Sequence, residues 1–219
     1  MHRIPAGFAL LVLALSAAAA RAGDAPALPA PDKDGWIALF DGRDLAGWSG
    51  DPAVWRVADG CIVGKAEKVG ANTFLIFNRP FSGFSLEAQC LLIKGGSFTK
   101  SAIQYRSRVI DPAAWVVGGY QAALGEAWWG VCYEERGRGV LWKPSPEAAK
   151  AAKPYGEWNR VGIEARGTLI RQTLNGVPCG ELDDKDEKHR ALEGVLALQY
   201  HAPGGYEVRF RDIRIREAK

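Results

Sequence analysis

Residues 118–141 read GGYQAALGEAWWGVCYEERGRGVL, and their side chains are of the kinds that hold and process a sugar. Tyr120, Gln121, Glu126, Trp128, Trp129, Tyr133, Glu134, Glu135, Arg136 and Arg138 fall in two short runs joined by glycines. Aromatic rings cover apolar sugar faces, while carboxylates, amides and guanidinium groups fix hydroxyls and move protons. The competing reading makes the tryptophans core and the charges a solvated turn.

Further along, His201 ends the run LALQYH, with Gln199 two residues earlier on the same strand face. Histidine is the natural acid–base group near neutral pH. The other candidate, His189, sits in a charged loop. In SAIQYRSRVI, alternation places Ala102, Gln104 and Arg106 on one face and Ile103 and Tyr105 on the other. An arginine and amides could hold a carbonyl or hydroxyl oxygen, or simply pair across strands. Neighbours on a strand face opposite ways, so only one of Glu134 and Glu135 can enter a cleft. Arg138 could clamp Glu135 or a substrate oxygen; one of Trp128 and Trp129 could stack on a sugar while the other joins the core. The run ELDDKDE at 181–187 imitates a glucanase carboxylate array, but interleaved lysines and the preceding Pro178 and Gly180 make it a solvated loop.

The elements that must position these groups are short strands. Trp36, Ala38 and Phe40 alternate with Ile37 and Leu39 as a strand buried on both faces would. Asp59-Gly60 and Asn175-Gly176 are hairpin dipeptides. Phe84, Leu86, Ala88 and Cys90 mark one face of a strand; Val208, Phe210, Ile213 and Ile215 mark another. Ser145 to Ala152 is the one helix candidate, with Ser145 as N-cap and Pro146 at the first position. Many strands with turn signals between them predict an all-β sandwich.

The chain begins with Arg3, an apolar run from Phe8 to Ala20 and the small-residue exit Ala20-Arg21-Ala22, which reads as a signal peptide over 1–22. A flexible leader is expected at 23–34, then one domain over 35–219, periplasmic or secreted after cleavage near Ala22. No later segment reads as a membrane span, so no membrane insertion is expected. A formal charge of +3 gives no reason to invoke nucleic acid. Cys61, Cys90, Cys132 and Cys179 permit disulfides of open connectivity, or buried free thiols; without a CxxC pair they do not read as a zinc cluster.

The blocks LFDGRDLAGW, SAIQYRS, GYQAALG, WWGVCYEERGRGVL, WNRVGIEARGTLIRQTLNG and LALQYHAPGGYEVRFRDIRI, in this order, resemble the 3-keto-disaccharide hydrolase family. The resemblance implies a concanavalin A-like jelly roll of two curved antiparallel sheets whose concave face holds the sugar. It implies cleavage of 3-keto-glycosides already oxidised at C3 by a separate oxidoreductase. A C3 ketone acidifies the C2–H, so such a site needs a base near C2, donors for the enolate oxygen and an acid for the leaving group. A divalent metal ion is the cofactor that could supply the enolate stabilisation instead.

By that match Glu135 is the first catalytic carboxylate, Glu134 its alternate, and His201 the acid–base group. Gln104, Arg106, Tyr120, Gln121, Trp128, Trp129, Tyr133, Arg138 and Gln199 are the substrate-binding set. The chain departs from the pattern at Lys100-Ser101-Ala102, where relatives often have Asn-Ser-Gly, and at Ala123, where they often have Asp. Ala123 favours the rival reading, a non-catalytic carbohydrate-binding module of the same fold.

Overall fold

The structure is a computed structural model that describes residues 26–96 and 98–218. The expected signal peptide and the first leader residues lie outside the described residues. The early strands are β1 (Ile37–Ala38), β2 (Trp48–Ser49), β3 (Trp55–Ala58), β4 (Cys61–Ala66), β5 (Thr73–Phe81) and β6 (Phe84–Ile93). The middle holds β7 (Ser101–Asp111), β8 (Val116–Leu124), β9 (Cys132–Glu135), β10 (Gly139–Trp142) and helix α1 (Pro146–Ala151). The chain closes with β11 (Asn159–Arg166), β12 (Leu169–Leu174), β13 (Val177–Asp183), β14 (Gly194–Tyr200) and β15 (Tyr206–Glu217).

Two antiparallel sheets result. The first runs β13-β12-β11-β6-β15-β4-β3, with β1 beside β15; the second runs β10-β9-β8-β7-β14-β5-β2. This is the expected jelly-roll sandwich, and local chemistry accounts for its corners. Asp59-Gly60 and Asn175-Gly176 close hairpins as two-residue loops with φ of 52°, 68°, 51° and 84°, the positive values that such tight turns demand. Ser145 caps α1, its Oγ accepting the Ala148 N–H at 3.1 Å.

Phe84, Leu86, Ala88 and Cys90 enter the core as expected, and so do Val208, Phe210, Ile213 and Ile215. The three-residue step from Phe210 to Ile213 is a β-bulge with Asp212 at φ 50°, which restores the inward phase. The N-terminal stretch differs from expectation. Only Ile37 and Ala38 form a strand, and Trp36 lies beneath the Arg214 and Arg216 guanidinium groups at 4.6 and 4.9 Å. The leader, expected to be flexible, packs on the domain from its first described residues: Leu28 lies against the core, and the Asp32 carboxylate accepts the N–H groups of Asp34 and Trp36, both at 2.9 Å.

The two faces of the second sheet are chemically distinct. Leu75, Phe77, Ile103, Tyr105, Tyr120, Ala122, Leu124, Leu196 and Leu198 pack between the sheets. On its outer face Phe74, Ile76, Val117 and Ala197 form a smaller apolar cluster with Trp115 and Val195. Gln104 and Gln121 share that outer face with Ala197, their partner across the strands.

Arg106 does not share the face of Gln104, contrary to the alternation read from the sequence. β7 carries an extra residue between Gln104, paired to Ala197, and Ser107, paired to Val195, and Arg106 sits there at φ 45°. Opposite, a Cβ on Gly119 would meet the Ser107 Cα at 2.8 Å, so only glycine fits. The bulge turns Arg106 inward, 1% exposed, where Nε donates to Ser82 O at 2.8 Å and Nη1 to Gly167 O at 2.7 Å and Ala191 O at 3.4 Å. It ties three loops and cannot contact a ligand on the outer face. Arg106→Met should therefore cost about 2–5 kcal/mol by stranding buried carbonyls. Urea unfolding at neutral pH measures this, and a loss below about 1 kcal/mol would show that the carbonyls find other partners.

Candidate functional site

The outer face of the second sheet gathers the polar groups that its strands do not spend on the core. Tyr133, Gln121, Gln104 and Ala197 are successive partners across β9, β8, β7 and β14, and Ala123, Ala102 and Gln199 form the adjoining row. Gln104 Nε2 donates to Gln121 Oε1 at 3.1 Å. Gln104 Oε1, Gln121 Nε2 and Gln199 Oε1 are buried with no hydrogen-bond partner among the described residues. A buried amide left unpaired costs free energy, so these orphan atoms mark where a ligand or water would bond.

Over this row stands Glu135. Its Oε1 accepts from Asn72 Nδ2 at 3.2 Å and its Oε2 from Gln199 Nε2 at 3.3 Å. Asn72 is itself held by the Ala202 N–H on Oδ1 at 3.0 Å. His201 follows β14, and its Nδ1 bonds the Ala202 carbonyl. A carbonyl can only accept, so Nδ1 carries the proton and, in the neutral ring, Nε2 is the basic nitrogen. Phe98 meets the imidazole edge-on at 5.0 Å. Lys100, just before β7, places Nζ 3.7 Å from the Trp128 ring centroid and 5.1 Å from that of Tyr133.

One hydroxyl aligns two of these groups. Tyr206 Oη on β15 donates to the Lys100 carbonyl and accepts the His201 N–H at 2.6 Å. Burial lowers the His201 pKa; the Ala202 carbonyl opposes this, Lys100 adds to it and Glu135 counters it. Burial likewise lowers Lys100, with Glu135 opposing.

Several expected site residues face the other way. Glu134 accepts from Arg138 Nε at 2.5 Å on the inner side, so strand alternation sends Glu135 alone to the outer face. Arg138 therefore clamps Glu134 and not Glu135, and its Nη1 and Nη2 bind Asp184 at 3.0 and 2.6 Å. Tyr120 stacks on Tyr105 in the core and donates its hydroxyl to Asp184, leaving nothing for substrate. Trp129 is core, while Trp128 borders the outer face in the turn after β8. The 181–187 run is exposed at Glu181 and Asp183, but Asp184 is 3% exposed and is not the solvated charge expected. Asn72, Phe98 and Lys100 join the site without having been singled out for it, each lying in a loop outside any regular pattern.

Among the described residues no three His, Cys, Asp or Glu side chains converge to hold a metal. Glu135 and His201 are accompanied by the ammonium of Lys100, whose charge opposes a second cation; this donor set does not fit the divalent ion considered above. The four cysteines are buried free thiols, Cys132 pushed up to about 12 and Cys179 to about 11 by burial. No described helix is long and apolar enough to cross a membrane.

Fold and face together define a lectin-like jelly roll with a polar, aromatic-edged site on one sheet. The chain belongs to the 3-keto-alpha-glucoside-1,2-lyase-like domain family, whose model matches residues 35–216. It is 30% identical over 170 residues to the 3-keto-disaccharide hydrolase of Bacteroides thetaiotaomicron, a match that takes in 64% of this chain and 56% of that protein's length. Among solved structures, a proposed glycosyl hydrolase from Parabacteroides distasonis superposes with a TM-score of 0.65 at 20% identity, over 85% of this chain and 95% of the other. The carbohydrate-binding module CBM66 of Bacillus subtilis superposes at 0.59 with 16% identity, over 77% and 94%. Both structural likenesses concern the fold.

The ion cluster behind the site yields a test that needs no substrate. Burial alone would raise Asp184, but hydrogen bonds from Arg138 and Tyr120 outweigh it and hold the carboxyl at about 2, against 3.8 for a free one. A depressed folded-state pKa gives stability that is complete above the unfolded value and is lost as pH falls towards the folded one. Asp184→Asn should lower the thermal midpoint at pH 7 and lose less on going from pH ~4 to ~2 than the parent does. Equal acid losses in the two proteins would show that Asp184 does not carry this linkage.

Proposed function

We propose that this protein cleaves a glycoside whose sugar carries a ketone at C3, by removing the C2 proton and expelling the C1 substituent. The observation that carries the reading is His201. Its Nδ1–H is engaged by the Ala202 carbonyl and burial favours the neutral ring, so Nε2 is a base at the end of the face that carries Glu135 and three unpartnered amide atoms. Membership of the 3-keto-alpha-glucoside-1,2-lyase-like family and the relative named a 3-keto-disaccharide hydrolase support it.

The ketone acidifies C2–H, and His201 Nε2 takes that proton. The negative charge of Glu135, fixed by Asn72 and Gln199, steadies the imidazolium so formed. The enolate electrons expel the C1 oxygen, the imidazolium returns the proton to the departing aglycone, and water adds at C1 to complete hydrolysis. Gln104, Gln121 and Gln199 take sugar hydroxyls on their open atoms, with Trp128, Tyr133 and Phe98 as ring contacts. On this reading a C3 oxidoreductase supplies the substrate, and the N-terminal signal expected from the sequence supports a reaction in the periplasm or outside the cell.

Aglycone release from a 3-keto-glucoside and from its unoxidised parent tests this directly. Release from the keto sugar alone is expected; binding without release from either would assign the face to carbohydrate recognition. His201→Asn should lower kcat/KM by about 10²–10⁴. In the parent protein kcat/KM should rise with pH through a value below 6.5, because the base must be unprotonated. Glu135→Gln removes the charge that raises His201, so this limb should move to lower pH. An unmoved limb in that variant would separate Glu135 from the proton transfer.

A further inference from the structure

Lys100 is the charged group that the reaction above leaves without a task. The residue is 4% exposed, yet its Nζ makes no hydrogen bond and no ion pair with any described residue. Lysines with so little exposure usually have a paired acid, because covering the side chain strips part of the water from the ammonium. The Trp128 and Tyr133 rings return part of that cost through their π faces. Neither ring face takes up an N–H as an oxygen would, so the three donors of the ammonium remain for a ligand.

The backbone that carries the side chain is fixed as well. The Lys100 carbonyl and the His201 N–H meet on the one hydroxyl of Tyr206, so the main-chain segments bearing the ammonium and the imidazole are anchored to the same atom. Glu135 and Tyr133 face Lys100 from β9, and His201 faces it from the end of β14. All three glutamines on the face are neutral, so Lys100 is the cationic donor available to a developing anion.

We propose that Lys100 is a catalytic residue whose ammonium donates to the C3 oxygen of the substrate and stabilises the enolate formed when C2 is deprotonated. The proposal rests on the 3-keto-glycoside reading and fills the one role that reading left unassigned, the donor to the enolate oxygen. Charge-assisted donors are shorter and roughly twice as strong as neutral ones, and they gain further where water is excluded. The balance is simple: the proton moves from C2 to His201 Nε2, the electron pair moves onto the C3 oxygen, and Lys100 keeps its own proton throughout. Since burial lowers Lys100 from the ordinary 10.5, the ammonium should be lost, and activity with it, at a lower pH than for an exposed lysine.

The test uses the full mature chain and two substrates. One is a 3-keto-glucoside, followed by aglycone release. The other is its 1-deoxy analogue, which has nothing to expel, followed in D2O by proton NMR for hydrogen exchange at C2. Lys100→Met should slow both exchange and release by about 10²–10³, the usual cost of losing one oxyanion donor. Lys100→Arg should retain more of each, and should carry the alkaline fall of the parent to higher pH, because a guanidinium stays charged.

If Lys100→Met does not fold, the alkaline limbs of the parent and Lys100→Arg still decide; identical limbs would overturn the proposal. A folded Lys100→Met that exchanges within about threefold of the parent would overturn it too, leaving the keto-glycoside reading intact. A parent that neither exchanges nor releases would remove that reading, and the role of Lys100 would fall with it.

Discussion

The site hangs on the hydroxyl of Tyr206. This side chain starts from β15 in the first sheet, crosses the core stacked on Tyr200 at 4.5 Å, and ends between the backbones of Lys100 and His201 in the second. Two strands of a sheet can slide and twist relative to one another. A buried phenol that donates to one and accepts from the other sets their separation at the point where His201 and Lys100 leave the two strands. Ser101 reinforces the same junction, donating its hydroxyl to the Gln199 carbonyl at 2.6 Å. The packing of the sandwich and the geometry of its outer face are therefore one problem: what holds the sheets together also spaces the groups of the candidate site.

Much of the fold was legible because strands announce themselves through period and punctuation. The Asp-Gly and Asn-Gly hairpins, the capped helix and the inward faces of β6 and β15 all followed from local rules. The three-residue step in β15 is passed over when the run is read as strict alternation, and the bulge at Asp212 is what restores the inward phase. The bulge at Arg106 was not legible, since SAIQYRS alternates smoothly and the extra residue is imposed by the partners on both sides. One such insertion moved a guanidinium from the candidate site to the interior.

The site was legible in part for the same reason. Parity required that only one of Glu134 and Glu135 enter the face, the family match chose Glu135, and parity applied as strictly separates Tyr120 from Gln121, since adjacent strand residues cannot share a face. Arg138 went with Glu134 and Asp184 because a buried carboxylate pair needs a counter-charge more than a solvated substrate does. Asn72, Phe98 and Lys100 lie in loops, where sequence carries no phase. Their roles emerge only when β14 and β9 bring His201 and Glu135 beside them.

The row of glutamines has a consequence for how the face meets its ligand. Amide groups present dipoles without attracting counter-ions, so a neutral sugar settling on Gln104, Gln121 and Gln199 displaces no ion atmosphere. Recognition of the kind proposed would be indifferent to ionic strength, whereas the proposed proton chemistry of His201 would answer to acidity. On that reading the face divides its labour between a floor that works in brackish or dilute surroundings alike and a small charged corner that senses its medium.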